Sequence, residues 1–144
     1  MRKFGLIGYP LSHSFSQKYF SDKFEAEGID AEYCNFPIES IDDLNDVLRT
    51  EPNLVGLNVT IPYKTAIIPF LDEVASCANS IQSVNTVCVT RTNNGWTLRG
   101  ANTDVIGFKE SIASHVSGHS QALILGTGGA AKAAFHVLED MGLE

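Results

Sequence analysis

Asn58, Thr60 and Lys64 stand at the exit of an apolar run, in the stretch Asn-Val-Thr-Ile-Pro-Tyr-Lys, where polar side chains can hold a small ligand. A lysine amine placed there can give a proton to a nascent oxyanion or take one back. If Pro62 opens a helix, Lys64 falls in its first turn, and the positive end of the helix dipole favours the neutral amine that such work requires. The alternative reading is a solvated surface lysine. Ser14 and Ser16 lie in a loop just past another apolar run. Two hydroxyls beside a helix N-terminus can cap that helix, cradle a carboxylate or phosphate, or do both. Asn85 interrupts a β-branched run, where asparagine is disfavoured, so its amide should meet a specific partner or a buried backbone group. Asp104 follows Thr103 at a predicted helix start, where the dipole stabilises a carboxylate and no further role is required. Gly126-Thr127-Gly128-Gly129-Ala130-Ala131 has the form Gly-x-Gly-x-x-Ala between a predicted strand and helix, the context in which a backbone can approach a pyrophosphate, the alternative being a glycine-rich turn without ligand.

These side chains need elements to position them. Leu54, Val55, Leu57, Val59 and Ile61 read as a strand buried on both faces, with Asn58 and Thr60 pointing to one face and Leu57, Val59 and Ile61 to the other. Phe4 to Tyr9 reads as a first strand closed by Gly8 and Pro10. Ser14 or Ser16 then caps a helix carrying Phe15, Tyr19, Phe20 and Phe24 at helical spacing, which Gly28 stops. His13, in the same loop, reads as a surface or packing residue. Ala31 to Ile38 alternates as a second strand, and Ser40, Asp42 and Asp43 open a helix through Leu44, Val47 and Leu48. Strand, helix, strand, helix, strand implies a parallel sheet with right-handed crossovers. Ligands in such sheets bind beyond the carboxyl ends of the strands, where Tyr9 to Ser16 and Asn58 to Lys64 both fall.

Further on, Ala66 to Ala78 is apolar at helical spacing and predicts a helix broken at Pro69. Ser83 to Thr90 and Trp96 to Gly100 form a hairpin through Asn93, Asn94 and Gly95. Thr103 caps a helix bearing Val105, Ile106, Phe108 and Ile112. The small polar segment Ser117 to Gln121 is the best boundary, after which Ala122 to Leu125 predicts a buried strand and the glycine loop leads into a helix through Leu138. The fold class is therefore α/β: a mostly parallel sheet with an antiparallel hairpin and helices on both faces, followed by the first strand and helix of a Rossmann-like domain.

The bulk properties narrow the function classes. With 144 residues, 44% hydrophobic and 19% charged, the chain can bury one sizeable core. A net charge of -7 and a pI near 5.0 argue against a nucleic-acid or anionic-membrane partner. No apolar run approaches the roughly 20 residues of a membrane helix, and the N-terminus stops too soon for a signal sequence, so a cytoplasmic protein is expected. Cys34, Cys77 and Cys88 show neither a disulfide framework nor zinc spacing, and no metal site is expected.

Pro10 to Ser16, Asn58 to Lys64, Ser83 to Thr86, Gly100 to Phe108 and Gly126 to Ala131 occur together in an order and at a spacing that resembles shikimate dehydrogenase. The resemblance covers the whole chain. It implies reversible reduction of 3-dehydroshikimate to shikimate with NADPH as cofactor, a step of aromatic amino-acid biosynthesis, in a cleft between a substrate domain and a Rossmann-like domain. It implies residues 1–103 as the substrate domain, 104–120 as a connecting helix and linker, and 121–144 as the first unit of an incomplete cofactor domain. Carried over by position, Lys64 is the acid/base with Asp104 its partner. Ser14 and Ser16 hold the substrate carboxylate; Thr60, Asn85 and Asp104 bind its hydroxyls, with Asn58 in support; Gly126, Thr127, Gly128, Gly129 and Ala130 receive the pyrophosphate. A homodimer is left open. Gln17 stands where the family usually has proline, Gln82-Ser83 replace Gly-Ala, and Thr127 replaces alanine, without loss of a proposed functional group. The C-terminal helices that add an amide and a tyrosine to the family's site are not in this sequence, so it reads as an N-terminal portion with little turnover alone. A quinate-acting or NAD-using relative, and a non-catalytic module for polyhydroxy acids, are the alternatives.

Overall fold

A computed structural model of the chain describes residues 1–12 and 14–144, so the reading of His13 lies outside the described residues. Six strands form one sheet: β1 (Arg2–Gly8), β2 (Ala31–Pro37), β3 (Leu54–Val59), β4 (Glu73–Val74), β5 (Thr86–Thr92) and β6 (Gly95–Ala101), in the order β2-β1-β3-β5-β6-β4. β1 runs parallel to both β2 and β3, as the alternation of strands and helices predicts. The β5-β6 hairpin joins antiparallel to β3, with Thr92 paired to Gly95 across Asn93 and Asn94.

Helices cover both faces. On one, α1 (Ser16–Ala26) lays Phe24 against Phe4 of β1 at 5.7 Å between ring centroids and stacks Phe20 on Tyr33 of β2 at 4.7 Å. On the other, Leu44, Val47 and Leu48 of α2 (Leu44–Thr50) join a buried cluster with Ile7, Leu54, Leu57 and Val59. The two-residue alternation along β1 and β3 divides these faces, sending Ile7, Leu57 and Val59 to the core while Leu6 and Asn58 meet the α1 side. Ser40 caps the turn before α2 by accepting the Asp42 N–H at 3.2 Å. The far end of α2 has no glycine cap. Instead Arg91 of β5 donates to the Leu48 and Glu51 carbonyls at 2.9 and 2.6 Å, tying the helix to the hairpin.

Three expectations give way to the packing. β3 ends at Val59 rather than running through Ile61, whose side chain is 74% exposed, because Thr60 makes the last bond to β1 and the chain then leaves the sheet at a cis Ile61-Pro62 peptide. Ala66 to Ala78 is not one interrupted helix. It splits into α3 (Tyr63–Ala66), a 3-10 turn at Ile68–Phe70, the short β4 and α4 (Ser76–Ser80), since Glu73 and Val74 find parallel partners in Arg99 and Gly100. Ala122 to Leu125 forms no strand, for among the described residues no strand lies beside it. It is held through an Ala122 N–H to Glu144 carbonyl bond, and Leu123 and Leu125 are exposed. The helix after it forms as expected, α6 (Gly129–Asp140), and packs with α5 (Asp104–Ile112).

Candidate functional site

The chain order places a site between β1 and β3. From β1 the chain turns toward β2 on one side, and from β3 it turns away on the other, so the loops beyond two adjacent carboxyl ends diverge and leave a crevice. The two loops are nonetheless joined at their bases. Thr60 N–H donates to the Ile7 carbonyl at 3.0 Å and Tyr9 N–H to the Ile61 carbonyl at 3.1 Å. Gly8 permits this close approach, because a Cβ there would lie 2.5 Å from Thr60 Cγ2 and 2.9 Å from the Ile61 carbonyl oxygen. Backbone cannot yield as a side-chain tip can. Gly8→Ala is therefore expected to cost the complete protein about 1–3 kcal/mol, read as a lowered urea midpoint.

The crevice is a cleft of about 580 Å³ lined by both loops, by Phe20 of α1, and by Lys64, Asn85, Thr103 and Asp104. Lys64 and Asp104, 40 residues apart in sequence, meet with Nζ to Oδ2 at 2.6 Å, their side chains 19% and 35% exposed. The helix that carries Lys64 has only four residues, so its dipole is small, and the charged group in contact with this amine is the Asp104 carboxylate. Asp104 begins the nine-residue α5. Thr103 does not cap that helix with its side chain; Asn102, which sequence reasoning passed over, accepts the Val105 N–H and anchors itself through Nδ2 to the Ser83 carbonyl at 2.9 Å.

Asn85 ties the cluster to the sheet. Just before β5 and 8% exposed, it accepts the Val59 N–H at 2.8 Å and donates its own N–H to the Ala101 carbonyl at 3.1 Å. Its Nδ2 donates to Asp104 Oδ1 at 2.8 Å and Thr103 Oγ1 at 3.0 Å, and its Oδ1 accepts the Thr103 N–H at 2.9 Å. Both partners anticipated for it, a specific polar group and buried backbone, are present.

Ser14 and Ser16 both line the cleft. Neither caps α1: Phe15 occupies the cap position, without a side-chain bond, because Ser16 is already the first helical residue. Ser14 Oγ is buried and has no hydrogen-bond partner among the described residues. Such an orphan hydroxyl at a cleft wall is a ready contact for a polar ligand. Asn58 and Thr60 share the same wall, and Asn58 Oδ1 accepts the hydroxyl of Tyr33 at 2.8 Å, a partner that sequence reasoning missed.

A second cavity, about 400 Å³, lies against the first. Thr60 and Lys64 line both, and Thr127, Gly128, Gly129, Ala130 and Lys132 close its other side. Here the start of α6 abuts the site directly: a Cβ on Gly129 would lie 2.7 Å from Ser83 Oγ and 2.8 Å from Lys64 Cδ. Gly126 and Gly128 face open space instead. A twelve-residue helix with free first-turn N–H groups, an open glycine backbone before it and the Lys132 amine beside it together fit a phosphate-bearing group. Among the described residues no cluster of His, Cys, Asp and Glu could hold a metal ion, and no helix is long and apolar enough to cross a membrane.

Comparison with known proteins shows the family. Residues 6–87 match the family model of the shikimate dehydrogenase substrate binding domain. A shikimate dehydrogenase (NADP(+)) of Dictyoglomus turgidum is 42% identical over 143 residues, covering 98% of this chain and 50% of that protein. The crystal structure of shikimate dehydrogenase 1 from Peptoclostridium difficile superposes with a TM-score of 0.84 at 38% identity, covering 100% of this chain and 53% of that one. The shikimate 5-dehydrogenase of Thermus thermophilus in complex with NADP(H) and shikimate gives 0.82 at 31% identity, covering 100% and 54%. The chain thus spans about half the length of the curated relatives it matches.

Proposed function

The chain belongs to the family of the shikimate dehydrogenase substrate binding domain, and from that premise we propose that the complete protein is an NADP-dependent shikimate dehydrogenase, interconverting 3-dehydroshikimate and shikimate. The observation that carries this reading is the Lys64–Asp104 pair at 2.6 Å in the hydroxyl-lined cleft, with Lys64 also lining the glycine-loop cavity. A ketone reduction needs a hydride on carbon and a proton on oxygen, delivered at the same place. NADPH supplies the hydride when bound at Gly126 to Ala130.

The chain's own residues would do the rest. Ser14 and Ser16 hold the substrate carboxylate, the first with a hydroxyl that has no partner among the described residues. Thr60 and Asn58 bind ring hydroxyls from β3 and its exit. Lys64 Nζ gives its proton to the nascent alkoxide and takes it back in the reverse direction. Asp104 holds the ammonium in reach and accepts a substrate hydroxyl. Asn85, its donors already committed to Asp104 and Thr103, orients that carboxylate; touching a substrate hydroxyl would exchange its bond to Thr103. Residues 1–103 would form the substrate-binding unit, 104–120 the connection, and 121–144 the beginning of the cofactor unit.

The test is oxidation of shikimate by the complete protein, followed as NADPH formation, with NAD and quinate as competing cofactor and substrate. Turnover with NADP and shikimate is expected. Calorimetric binding of shikimate with no redox activity would instead mean a non-catalytic polyhydroxy-acid module, and the 144-residue chain alone should turn over little or not at all.

A further inference from the structure

We infer that Tyr33 is a specificity-determining positioning residue: its hydroxyl turns the Asn58 amide oxygen toward itself, so that Asn58 presents its N–H donors to whatever occupies the cleft. This rests on the function proposed above. An asparagine amide in a binding wall is ambivalent, with an acceptor at one end and two donors at the other, and nothing in the residue itself chooses which end a ligand meets. Here the choice is made two strands away. Tyr33 on β2 reaches past β1, the central strand of the three, and donates its O–H to Asn58 Oδ1 at 2.8 Å. With the oxygen turned to Tyr33, the Nδ2 protons point away from it, toward the cleft that Asn58 lines.

The device is rigid. Tyr33 is 4% exposed, and its ring stacks on Phe20 of α1 at 4.7 Å with only 15° between planes. Phe20 itself lines the cleft, so the same stack joins the α1 wall to the Asn58 wall. Burial pushes the Tyr33 phenol up to about 12, with the Ser16 hydroxyl pulling weakly the other way, so the phenol keeps its proton throughout any ordinary assay range. A pre-oriented donor suits an alcohol or carbonyl oxygen and refuses an ammonium group, whose protons would face its own. The cleft is thereby set for a ring oxygen at this position rather than an amino group.

The experiment measures the shikimate dissociation constant of the complete protein by calorimetry, together with steady-state kinetics. Tyr33→Phe keeps the ring and its stack and removes only the O–H. Its dissociation constant and KM should rise about three- to tenfold, the worth of one oriented hydrogen bond, with kcat within about twofold because Lys64 and Asp104 are untouched. Asn58→Ala should weaken binding by about tenfold in the wild-type background and distinctly less in Tyr33→Phe, since the oriented donor is already lost there. Asn58→Asp, which still accepts from Tyr33 but presents oxygen to the ligand, should bind shikimate at least about tenfold more weakly. Unchanged binding in Tyr33→Phe or Asn58→Asp, or effects of Tyr33→Phe and Asn58→Ala that simply multiply, would overturn the inference. Shikimate binding without turnover would remove the proposed enzyme function and leave this inference standing; no shikimate binding by the wild-type protein would remove both.

Discussion

Replacing Lys64 with alanine in the complete protein is expected to lower kcat for shikimate oxidation by about 10²–10⁴-fold, the usual worth of a positioned acid/base group. The geometry isolates this effect from others. Lys64 shapes the backbone through its carbonyl, which accepts the Val84 N–H at 2.7 Å, and alanine keeps that bond. Ser14, Ser16, Asn58 and Thr60 all remain on the cleft wall, so KM for shikimate should stay within a few-fold. The abandoned Asp104 carboxylate keeps the Asn85 amide as donor and is 35% exposed, so water can solvate it and the fold should hold. A loss confined to kcat is the signature of an interaction made in the transition state. Turnover within a few-fold of wild type would remove Lys64 from the chemistry, and a rise in KM alone would make it a binding residue.

How much of this site could be read in the sequence depended on whether a signal was local. The run Leu54 to Val59 and the stop after it define a strand and its exit from composition alone, so Asn58, Thr60 and Lys64 fall at that strand's end, its exit and the turn beyond, and all three line the cleft. Ser14 and Ser16 were found for the same reason, although their expected capping role was not: only the backbone path shows that the helix starts at Ser16 itself. Tyr33 was beyond reach. It matters because Phe4 pairs with Tyr33 and Leu6 with Asn58, which puts all four on one face, and register across parallel strands joined by long crossovers leaves no trace in local pattern. Asn102 was missed because Thr103, itself a capping type, stands directly before the helix start, and the choice between them is settled by the turn that lets Asn102 anchor to Ser83.

The tight cluster at Asp104 yields a result opposite to isosteric intuition: Asp104→Asn is expected to damage catalysis at least as much as Asp104→Ala. In the wild type both carboxylate oxygens accept, one from Lys64 Nζ at 2.6 Å and the other from Asn85 Nδ2 at 2.8 Å. An asparagine has one acceptor for these two donors. Turned one way, its NH₂ group confronts the Lys64 ammonium and releases it; turned the other, it confronts the Asn85 amide donor, and in both cases the charge that holds the lysine is gone. Alanine removes the acceptor without adding the clash. Both variants should lose about 10²–10³-fold in kcat, since the proton donor is no longer held where the alkoxide forms. Stability should scarcely follow, because a partly exposed ion pair contributes about 1 kcal/mol or less. Measuring kcat and the urea midpoint together on the complete protein separates these effects. Should Asp104→Asn retain most of the activity while Asp104→Ala loses it, the carboxylate acts through its shape and neutral hydrogen bonding, and its charge is not what holds Lys64.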